Sequence, residues 1–149
     1  MKVAIAGDHA GFELKRWLVE ELHKGGHEML DLGTDSPAPA DYPDFARAVG
    51  NAVARGEVER GILVCGSGIG ACIAANKIKG IRAGVCHDTY SGHQGVEHDA
   101  MNILCLGSRV IGQALALEVA RAFLAAQYAK DERFERRLAK VLDIETRQH

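Results

Sequence analysis

The centre of the chain reads Gly61-Ile62-Leu63-Val64-Cys65-Gly66-Ser67-Gly68-Ile69-Gly70. Its first half is an unbroken apolar run, which is typical of a strand covered on both faces of a parallel sheet. Its second half holds three glycines in five residues, and residues 71–76 follow with a helical pattern. The stretch therefore predicts a strand, a tight turn and a helix in succession.

The same alternation extends in both directions from this stretch. Amphipathic helices separate the predicted strands, and a long helix and an arginine-rich helix close the chain. Strands are predicted at 2–6, 28–32, 61–65, 81–86 and 102–106. Such alternation predicts parallel strands with helices on both faces. We therefore predict an α/β fold: a three-layer, Rossmann-like sandwich with a five-stranded parallel sheet and a C-terminal helix, in one domain that spans residues 1–149.

Composition excludes several functions. The 149 residues carry a formal net charge of -2, with 47% hydrophobic and 26% charged residues, which is an ordinary globular balance. The lack of a basic excess argues against a nucleic-acid partner. No stretch approaches the roughly 20 apolar residues of a membrane helix, and the start lacks the apolar run of a signal peptide. We expect a cytoplasmic protein with no membrane partner.

The cysteines do not indicate a metal site. They form no Cys-x-x-Cys pair, whereas structural zinc needs ligands at close spacing. Disulfides are not expected in a reducing compartment. We interpret most of these thiols as small buried hydrophobic residues, and they are Cys65, Cys72, Cys86 and Cys105.

The glycine-rich turn is the strongest functional signal. Parallel sheets bind ligands beyond the carboxyl ends of their strands, and this turn follows such an end. The glycines of Gly66–Gly70 let several backbone N–H groups point at one spot, which favours a phosphate or an enolate-like oxyanion. Cys65 before the turn is a candidate base, and Ser67 is a proton shuttle or a helix cap. The alternative to a ligand-binding role is that the glycines only allow a tight strand–helix turn to pack closely against its neighbour.

Two other functions use the same turn. Gly66, Gly68 and Ala71 satisfy the loose dinucleotide-binding pattern, and Asp88 lies at about the spacing of a ribose-binding acid. That pattern belongs in the first strand–helix unit of a larger fold, whereas here it is central. A phosphatase with a cysteine nucleophile would need an arginine soon after Cys65, and none stands there.

Charged residues elsewhere fit either a surface role or ligand binding. His9 follows the first strand at the predicted edge of the sheet, and His98 precedes the fifth strand. Arg133 and Arg137 are four residues apart and therefore share one helical face. A solvated charged face is the ordinary explanation for the arginines, and a pair of arginines that binds a phosphate group is the more specific explanation.

Six motifs occur in a set order along nearly the whole chain, and they are Gly7–Phe12, Asp41–Pro43, Cys65–Gly70, Ala74–Lys77, His98–Asn102 and Gly107–Gly112. In this order they resemble the family of ribose-5-phosphate isomerase B, which also holds allose-6-phosphate and galactose-6-phosphate isomerases. The resemblance implies an aldose–ketose isomerase that needs no cofactor and no metal and works through a cis-enediolate. It also implies a homodimer, or a dimer of dimers, with residues of both subunits in each site.

The resemblance assigns the chemical step to the glycine-rich turn. Cys65 matches the base that moves a proton between C1 and C2. Ser67 matches the hydroxyl group that helps to move a proton between the sugar oxygens. The backbone amides of the turn match the anion hole, and its residues are Gly66, Gly68, Ile69 and Gly70.

The resemblance also assigns the residues that bind and open the sugar. Asp8 and His98 match residues linked to opening of the furanose ring, and Tyr42 matches a residue that lines the sugar site. The phosphate contacts are His9, Arg109, Arg133 and Arg137.

Two positions depart from the family pattern. Asp99, counted among the substrate-binding residues, stands where members commonly have asparagine, and Phe134 stands where they often have histidine. An ionised aspartate can only accept hydrogen bonds, and its charge opposes an enediolate. We predict isomerisation of ribose 5-phosphate and ribulose 5-phosphate. The alternatives are the same reaction on a tetrose or hexose phosphate, or a non-catalytic module that binds a nucleotide or a sugar phosphate.

Overall fold

The computed structural model describes residues 1–148 and contains a five-stranded parallel sheet. The strands are β1 (Lys2–Gly7), β2 (Glu28–Asp31), β3 (Arg60–Cys65), β4 (Ala83–Val85) and β5 (Ile103–Gly107). The helices are α1 (Phe12–Lys24), α2 (Tyr42–Ala54), α3 (Ile69–Ala75), α4 (Thr89–Asp99), α5 (Gln113–Ala125) and α6 (Glu132–Gln148). The strand order is β2-β1-β3-β5-β4, and every neighbouring pair is parallel. The predicted α/β class is confirmed.

Helices cover both faces of the sheet, which produces two apolar cores. Ile62 and Leu63 of β3 point to opposite faces, and both are buried. Ile62 belongs to the core that α1 and α5 complete with Leu18 and Phe123. Leu63 belongs to the core that α2 completes with Val49. This burial on both faces explains why the strand is an unbroken apolar run rather than an alternating one.

The order of the strands creates one crevice near the middle of the sheet. From β1 the chain passes to β2 on one side, whereas β3 lies on the other side of β1 and leads away to β4. The connections after β1 and β3 therefore run in opposite directions. A crevice opens at such a switch point, beyond the carboxyl ends of the two strands.

The edge strand β4 is shorter than predicted. The prediction of a strand at 81–86 is wrong at both ends. Near the start of β4, side-chain oxygens rather than a neighbouring strand accept the hydrogen bonds of the backbone N–H groups. The N–H of Arg82 donates to Oδ1 of Asn102, and the N–H of Ala83 donates to Oδ1 of Asn76, both at 2.8 Å. An asparagine side chain can replace a neighbouring strand as the hydrogen-bond partner at a sheet edge.

None of the helices between residues 1 and 148 is long and apolar enough to cross a bilayer. Over the same residues, no group of three or more His, Cys, Asp or Glu side chains is arranged to hold a metal ion. All four cysteines are free thiols, and three of them are buried as predicted for core residues.

Lys15 is the one fully buried lysine in the core of the described chain, and it fastens the segment after β2. Its Nζ donates to both carboxylate oxygens of Asp31, at 2.8 and 3.0 Å, and to the carbonyl of Thr34 at 2.7 Å. We expect Lys15→Met to lower the free energy of unfolding by about 2 kcal/mol in urea titrations. The loss stays below that of a fully buried ion pair because Asp31 keeps contact with water.

Arg16→Met is the matched control on the next residue. Arg16 also pairs with a carboxylate, Glu13, at 2.6 Å, but both side chains are largely exposed. Exposed ion pairs contribute little to stability. Equal losses from Lys15→Met and Arg16→Met would contradict the assignment of Lys15 as an anchor.

Candidate active site

A cavity of about 350 Å³ opens at the carboxyl ends of β1 and β3. It therefore lies at the switch point, where open α/β sheets bind their ligands. The residues that line it are Asp8, Tyr42, Cys65, Gly66, Ser67, Gly70, Arg109 and Val110. The sequence predicts a site role for all of them except Val110.

The thiol of Cys65 lies at the end of β3 and is almost fully buried. Its Sγ accepts a hydrogen bond from the backbone N–H of Gly68 at 3.2 Å. The N–H of Ile69 donates to Oγ of Ser67 at 3.1 Å. Donors of the turn thus point at the two side chains that are predicted to move protons.

Two glycines of the turn are required by its geometry. Gly68 has a φ of 82°, in the left-handed region that glycine adopts without steric cost. A Cβ at Gly70 would lie only 2.7 Å from the ring of Tyr42. The missing side chain at Gly70 therefore lets Tyr42, the first residue of α2, lie directly against the turn.

The segment after β5 is hydrogen-bonded to the glycine-rich turn. The N–H of Ser108 donates to the carbonyl of Cys65 at 2.8 Å, and the N–H of Arg109 donates to the carbonyl of Gly66 at 3.0 Å. The Arg109 guanidinium lies over Gly66, where a Cβ would be 3.2 Å from a terminal nitrogen. Within residues 1–148, no carboxylate lies at salt-bridge distance from Arg109. Its charge is therefore available to a bound anion.

Asp8 and His9 lie on the turn between β1 and α1. Asp8 is 7% exposed, and Oδ1 accepts the N–H of Gly11 at 3.1 Å, which anchors the start of α1. His9 is exposed, and its Nδ1 accepts the N–H of Ala40 at 3.1 Å. Asp8 lines the cavity, whereas His9 lies beside it in the sequence and outside its lining.

One thiol outside the cavity has a lowered pKa. Cys72 on α3 has a pKa of about 7, because a hydrogen bond with Cys105 stabilises its thiolate. Burial raises the pKa of Cys86 to about 11. Experiments on the Cys65 thiol therefore require a control at Cys72.

Two of the predicted residues meet at an aromatic platform instead of in the cavity. The ring of His98 stacks on Phe134 with 4.1 Å between the centroids, and the guanidinium of Arg133 lies 4.6 Å from the centre of the same ring. Nδ1 of His98 also lies 3.0 Å from the side-chain nitrogen of Gln94. Phe134 is therefore the buried surface against which His98 and Arg133 pack.

Asp99 and Arg137, which are also predicted to bind the substrate, lie away from the cavity as well. Asp99 lines a groove of about 620 Å³ between α4, α6 and β4, and Arg137 is exposed on α6. These elements adjoin the amino end of β5, where Ile103 pairs with Gly61, whereas Cys65 is at the other end of β3. Four strand residues separate the two ends by about 13 Å. None of the residues His98, Asp99, Arg133 and Arg137 lines the Cys65 cavity of its own chain.

Two contacts near these sites were not predicted. Sequence reasoning gave no role to His87, whose Nε2 accepts the N–H of Gly107 at 2.9 Å. The position of His87 just after a predicted strand was the one available signal. No local pattern could reveal the stacking of His98 on Phe134, because the two residues lie on different helices.

The fold and the cavity together define a class of protein. Three features meet at the switch point of a doubly wound sheet: a thiol, a turn of backbone donors, and an arginine that has no carboxylate partner in the described chain. This arrangement suits a small anionic substrate. Residues 3–141 match the family model described as Ribose/Galactose Isomerase. The chain belongs to the ribose/galactose isomerase family, as its motifs predict.

Known relatives are similar over nearly the whole length. The chain is 45% identical to ribose-5-phosphate isomerase B of Escherichia coli (strain K12), over 99% of both proteins. It is 40% identical to D-erythrulose-4-phosphate isomerase of Pectobacterium atrosepticum, over 86% of this chain and 85% of that protein. The structure of Clostridium thermocellum ribose-5-phosphate isomerase B superposes with a TM-score of 0.97 at 44% identity, over 100% of both chains. The chain is therefore an aldose–ketose isomerase of this family.

Proposed function

We propose that the protein interconverts ribose 5-phosphate and ribulose 5-phosphate through a cis-enediolate. The observation that carries the proposal is the position of the Cys65 thiol, which lies 3.2 Å from the Gly68 amide nitrogen at a cavity that Arg109 also lines. The similarity to the Escherichia coli and Clostridium thermocellum proteins, which are named for this isomerisation, supports the choice of a pentose phosphate.

In this proposal Cys65 acts as the base. Its thiolate takes the proton from C2 of the open-chain aldose, the C–H electron pair enters the enediolate, and the proton then returns to C1. A proton next to a carbonyl is only weakly acidic, so the developing oxyanion must be stabilised. The amides of Gly66–Gly70 that do not already donate to Cys65 and Ser67 supply the donors, and loss of one such donor typically costs about 100-fold or more in rate. Ser67 helps to move a proton between the two sugar oxygens.

Other residues prepare the sugar for this step. Asp8 and His98 open the furanose ring, and Tyr42 lines the sugar site. A phosphate dianion is held best by charge-assisted hydrogen bonds from arginine, and that binding aligns the reacting carbons with the thiol. The phosphate-binding residues in this proposal are His9, Arg109, Arg133 and Arg137.

We propose further that two chains build each active site. In one chain His98 and the arginines of α6 lie away from the Cys65 cavity, so a second chain must supply them. Exposed apolar side chains mark the surface that the second chain covers. Ile69 and Ile73 of α3 are 52% and 59% exposed, and Val141 and Ile144 of α6 are 49% and 62% exposed.

A two-fold dimer that joins these surfaces has the required geometry. Ile69 adjoins the Cys65 turn, and α6 carries Arg133 and Arg137. Contact between α3 of one chain and α6 of the other would therefore bring the arginines to the cavity. Because a two-fold interface is self-complementary, it creates two identical sites. Pairs of such dimers would leave these shared sites unchanged.

Proton NMR of ribose 5-phosphate in deuterated water tests the proposed reaction. We expect ribulose 5-phosphate to form, with deuterium at the carbon that receives the proton, because a proton held on a thiol exchanges with solvent. Binding of a nicotinamide nucleotide without isomerisation of any sugar phosphate would contradict the proposal and favour a binding module.

A tetrose phosphate is the second candidate substrate. The Pectobacterium relative is named for D-erythrulose 4-phosphate, and Asp99 stands where the resemblance to the family leads us to expect asparagine. Values of kcat/KM for ribose 5-phosphate, erythrose 4-phosphate and a hexose 6-phosphate separate the candidates. The largest value identifies the substrate that the site fits best.

Asp99→Asn is expected to raise kcat/KM for ribose 5-phosphate about tenfold. The amide can donate to a substrate oxygen, and its neutrality removes a charge that opposes the enediolate. The measurement is the initial rate at low substrate concentration. Asp143→Asn, which removes an acid that pairs with Arg147 at 2.8 Å on the exposed face of α6, is the control. A lower value for Asp99→Asn would show that the reaction uses the carboxylate.

A further inference from the structure

His87 occupies a position that the mechanism above does not use. It follows β4, and its half-buried ring lies at the carboxyl edge of the sheet. Nε2 accepts a hydrogen bond from the backbone N–H of Gly107, the last residue of β5, at 2.9 Å. His87 does not line the Cys65 cavity, so it has no place among the groups that touch the substrate.

The hydrogen bond satisfies a donor that the sheet leaves without a partner. β4 ends at Val85, and the last backbone bond between these two strands joins the N–H of Cys86 to the carbonyl of Cys105 at 3.3 Å. Gly107 is buried and lies beyond that point. A buried backbone N–H without an acceptor costs about as much as a lost hydrogen bond. The imidazole of His87 thus replaces the carbonyl that a longer β4 would provide.

Gly107 in turn supports the turn that carries the thiol. Its backbone packs so closely on Ser67 that a Cβ at position 107 would lie 2.6 Å from the Ser67 carbonyl oxygen. Gly68 also lies close to the backbone of Gly107, since a Cβ at position 68 would be 3.3 Å from the Gly107 nitrogen. Gly68 is the residue whose N–H donates to Cys65 Sγ. A continuous series of contacts therefore links His87, Gly107, Gly68 and Cys65.

We propose that His87 is a positioning residue of this active site. By accepting the N–H of Gly107 it holds the end of β5 against the glycine-rich turn, and it thereby maintains the hydrogen bond from Gly68 to Cys65. Its effect on catalysis rests on the proposed function, whereas its effect on the Cys65 thiol does not depend on the substrate.

Two substitutions separate the hydrogen bond from the bulk of the ring. His87→Leu keeps an apolar side chain of similar reach but removes the acceptor, whereas His87→Gln keeps an acceptor at a reach similar to that of Nε2. His93→Leu is the matched control, because His93 is also half-buried on the α4 side and pairs with Glu97 at 2.8 Å, away from Gly107. Circular dichroism verifies that each variant folds.

The first measurement is steady-state kinetics with ribose 5-phosphate. We expect His87→Leu to lower kcat about tenfold or more with little change in KM, because small displacements of a catalytic group are costly while the phosphate contacts remain. His87→Gln and His93→Leu should stay close to the wild type. Equal losses in His87→Leu and His87→Gln would overturn the proposal, as would wild-type kcat in both.

The second measurement does not need a substrate. The rate at which iodoacetamide alkylates Cys65 is followed against pH, with Cys72→Ala present in every protein so that the reactive thiol of Cys72 does not contribute. Loss of the Gly68 donor should move the midpoint of this pH profile upward in His87→Leu and leave it in place in His87→Gln. A change in access alone alters the maximal rate and not the midpoint.

The two measurements distinguish the proposals from each other. If the wild type isomerises no sugar phosphate but the midpoint shifts as expected, the proposed function fails and the positioning role of His87 stands. If isomerisation occurs but the midpoint stays unchanged in His87→Leu, the positioning role is wrong. Should His87→Leu fail to fold, His87→Asn replaces it, because the shorter side chain withdraws the acceptor and the same results are expected.

Discussion

Cys65→Ser is expected to lower kcat for ribose 5-phosphate by about 1,000-fold, within the range that a general base contributes. Serine keeps nearly the same shape at the end of β3, but its hydroxyl is far less acidic than a thiol and supplies almost no anionic base near neutral pH. Binding of the sugar phosphate should change little, because the phosphate contacts come from other residues. Turnover and deuterium incorporation by NMR, together with calorimetric binding of ribose 5-phosphate, measure the two effects separately.

Cys72→Ser is the matched control for this prediction. Cys72 carries the thiol whose pKa is about 7, but it is absent from the lining of the cavity. If thiolate character alone determined which cysteine acts as the base, Cys72 would be the better candidate. We expect Cys72→Ser to retain activity close to that of the wild type. An active Cys65→Ser protein beside an inactive Cys72→Ser protein would show that the base is assigned to the wrong residue.

Two inactive variants are expected to restore activity when their subunits are mixed. Cys65→Ser removes the proposed base from one part of the site, and Arg137→Ala removes a phosphate contact that we assign to the other subunit. In a mixed dimer one site carries both substitutions and the other carries neither. Random pairing of equal amounts therefore restores about a quarter of the wild-type activity. The measurement is the isomerisation rate after the two proteins are unfolded together and refolded.

The control for mixing pairs two substitutions within one cavity. In a mixed dimer of Cys65→Ser and Ser67→Ala each site keeps one of the two defects, so no activity should return. If Cys65→Ser and Arg137→Ala also fail to restore activity while mixed dimers form, each site is built from a single chain. The assignment of Arg137 to the neighbouring subunit would then be wrong.

Much of the fold and one half of the candidate site follow from local sequence patterns. The apolar run before Cys65 predicts β3 because a strand that is covered on both faces cannot carry polar residues. The glycines of Gly66–Gly70 predict a turn because Gly68 adopts a positive φ and Gly70 has no room for a side chain beside Tyr42. Asp8 and Arg109 could be predicted as neighbours of this turn because all carboxyl ends of a parallel sheet lie at one edge.

The other half of the site could not be located in this way. The motif from His98 to Asn102 marks these residues, but it does not state which end of the sheet they occupy in relation to Cys65. Their position depends on the strand order, in which β5 lies between β3 and β4 although it follows both in the chain. That order is set by long-range packing of helices on the sheet.

The α/β class, the family and the turn that holds Cys65 could be read from the sequence, because each is recorded in short local motifs or in the order of such motifs along the chain. Two contacts became visible only in the folded protein: His98 stacks on Phe134 away from the cavity, and His87 accepts the hydrogen bond of the last backbone N–H of β5. These are contacts between separate elements, and they form only when the sheet and its helices pack. A pattern of neighbouring residues contains no information about which distant side chain will fill a given place.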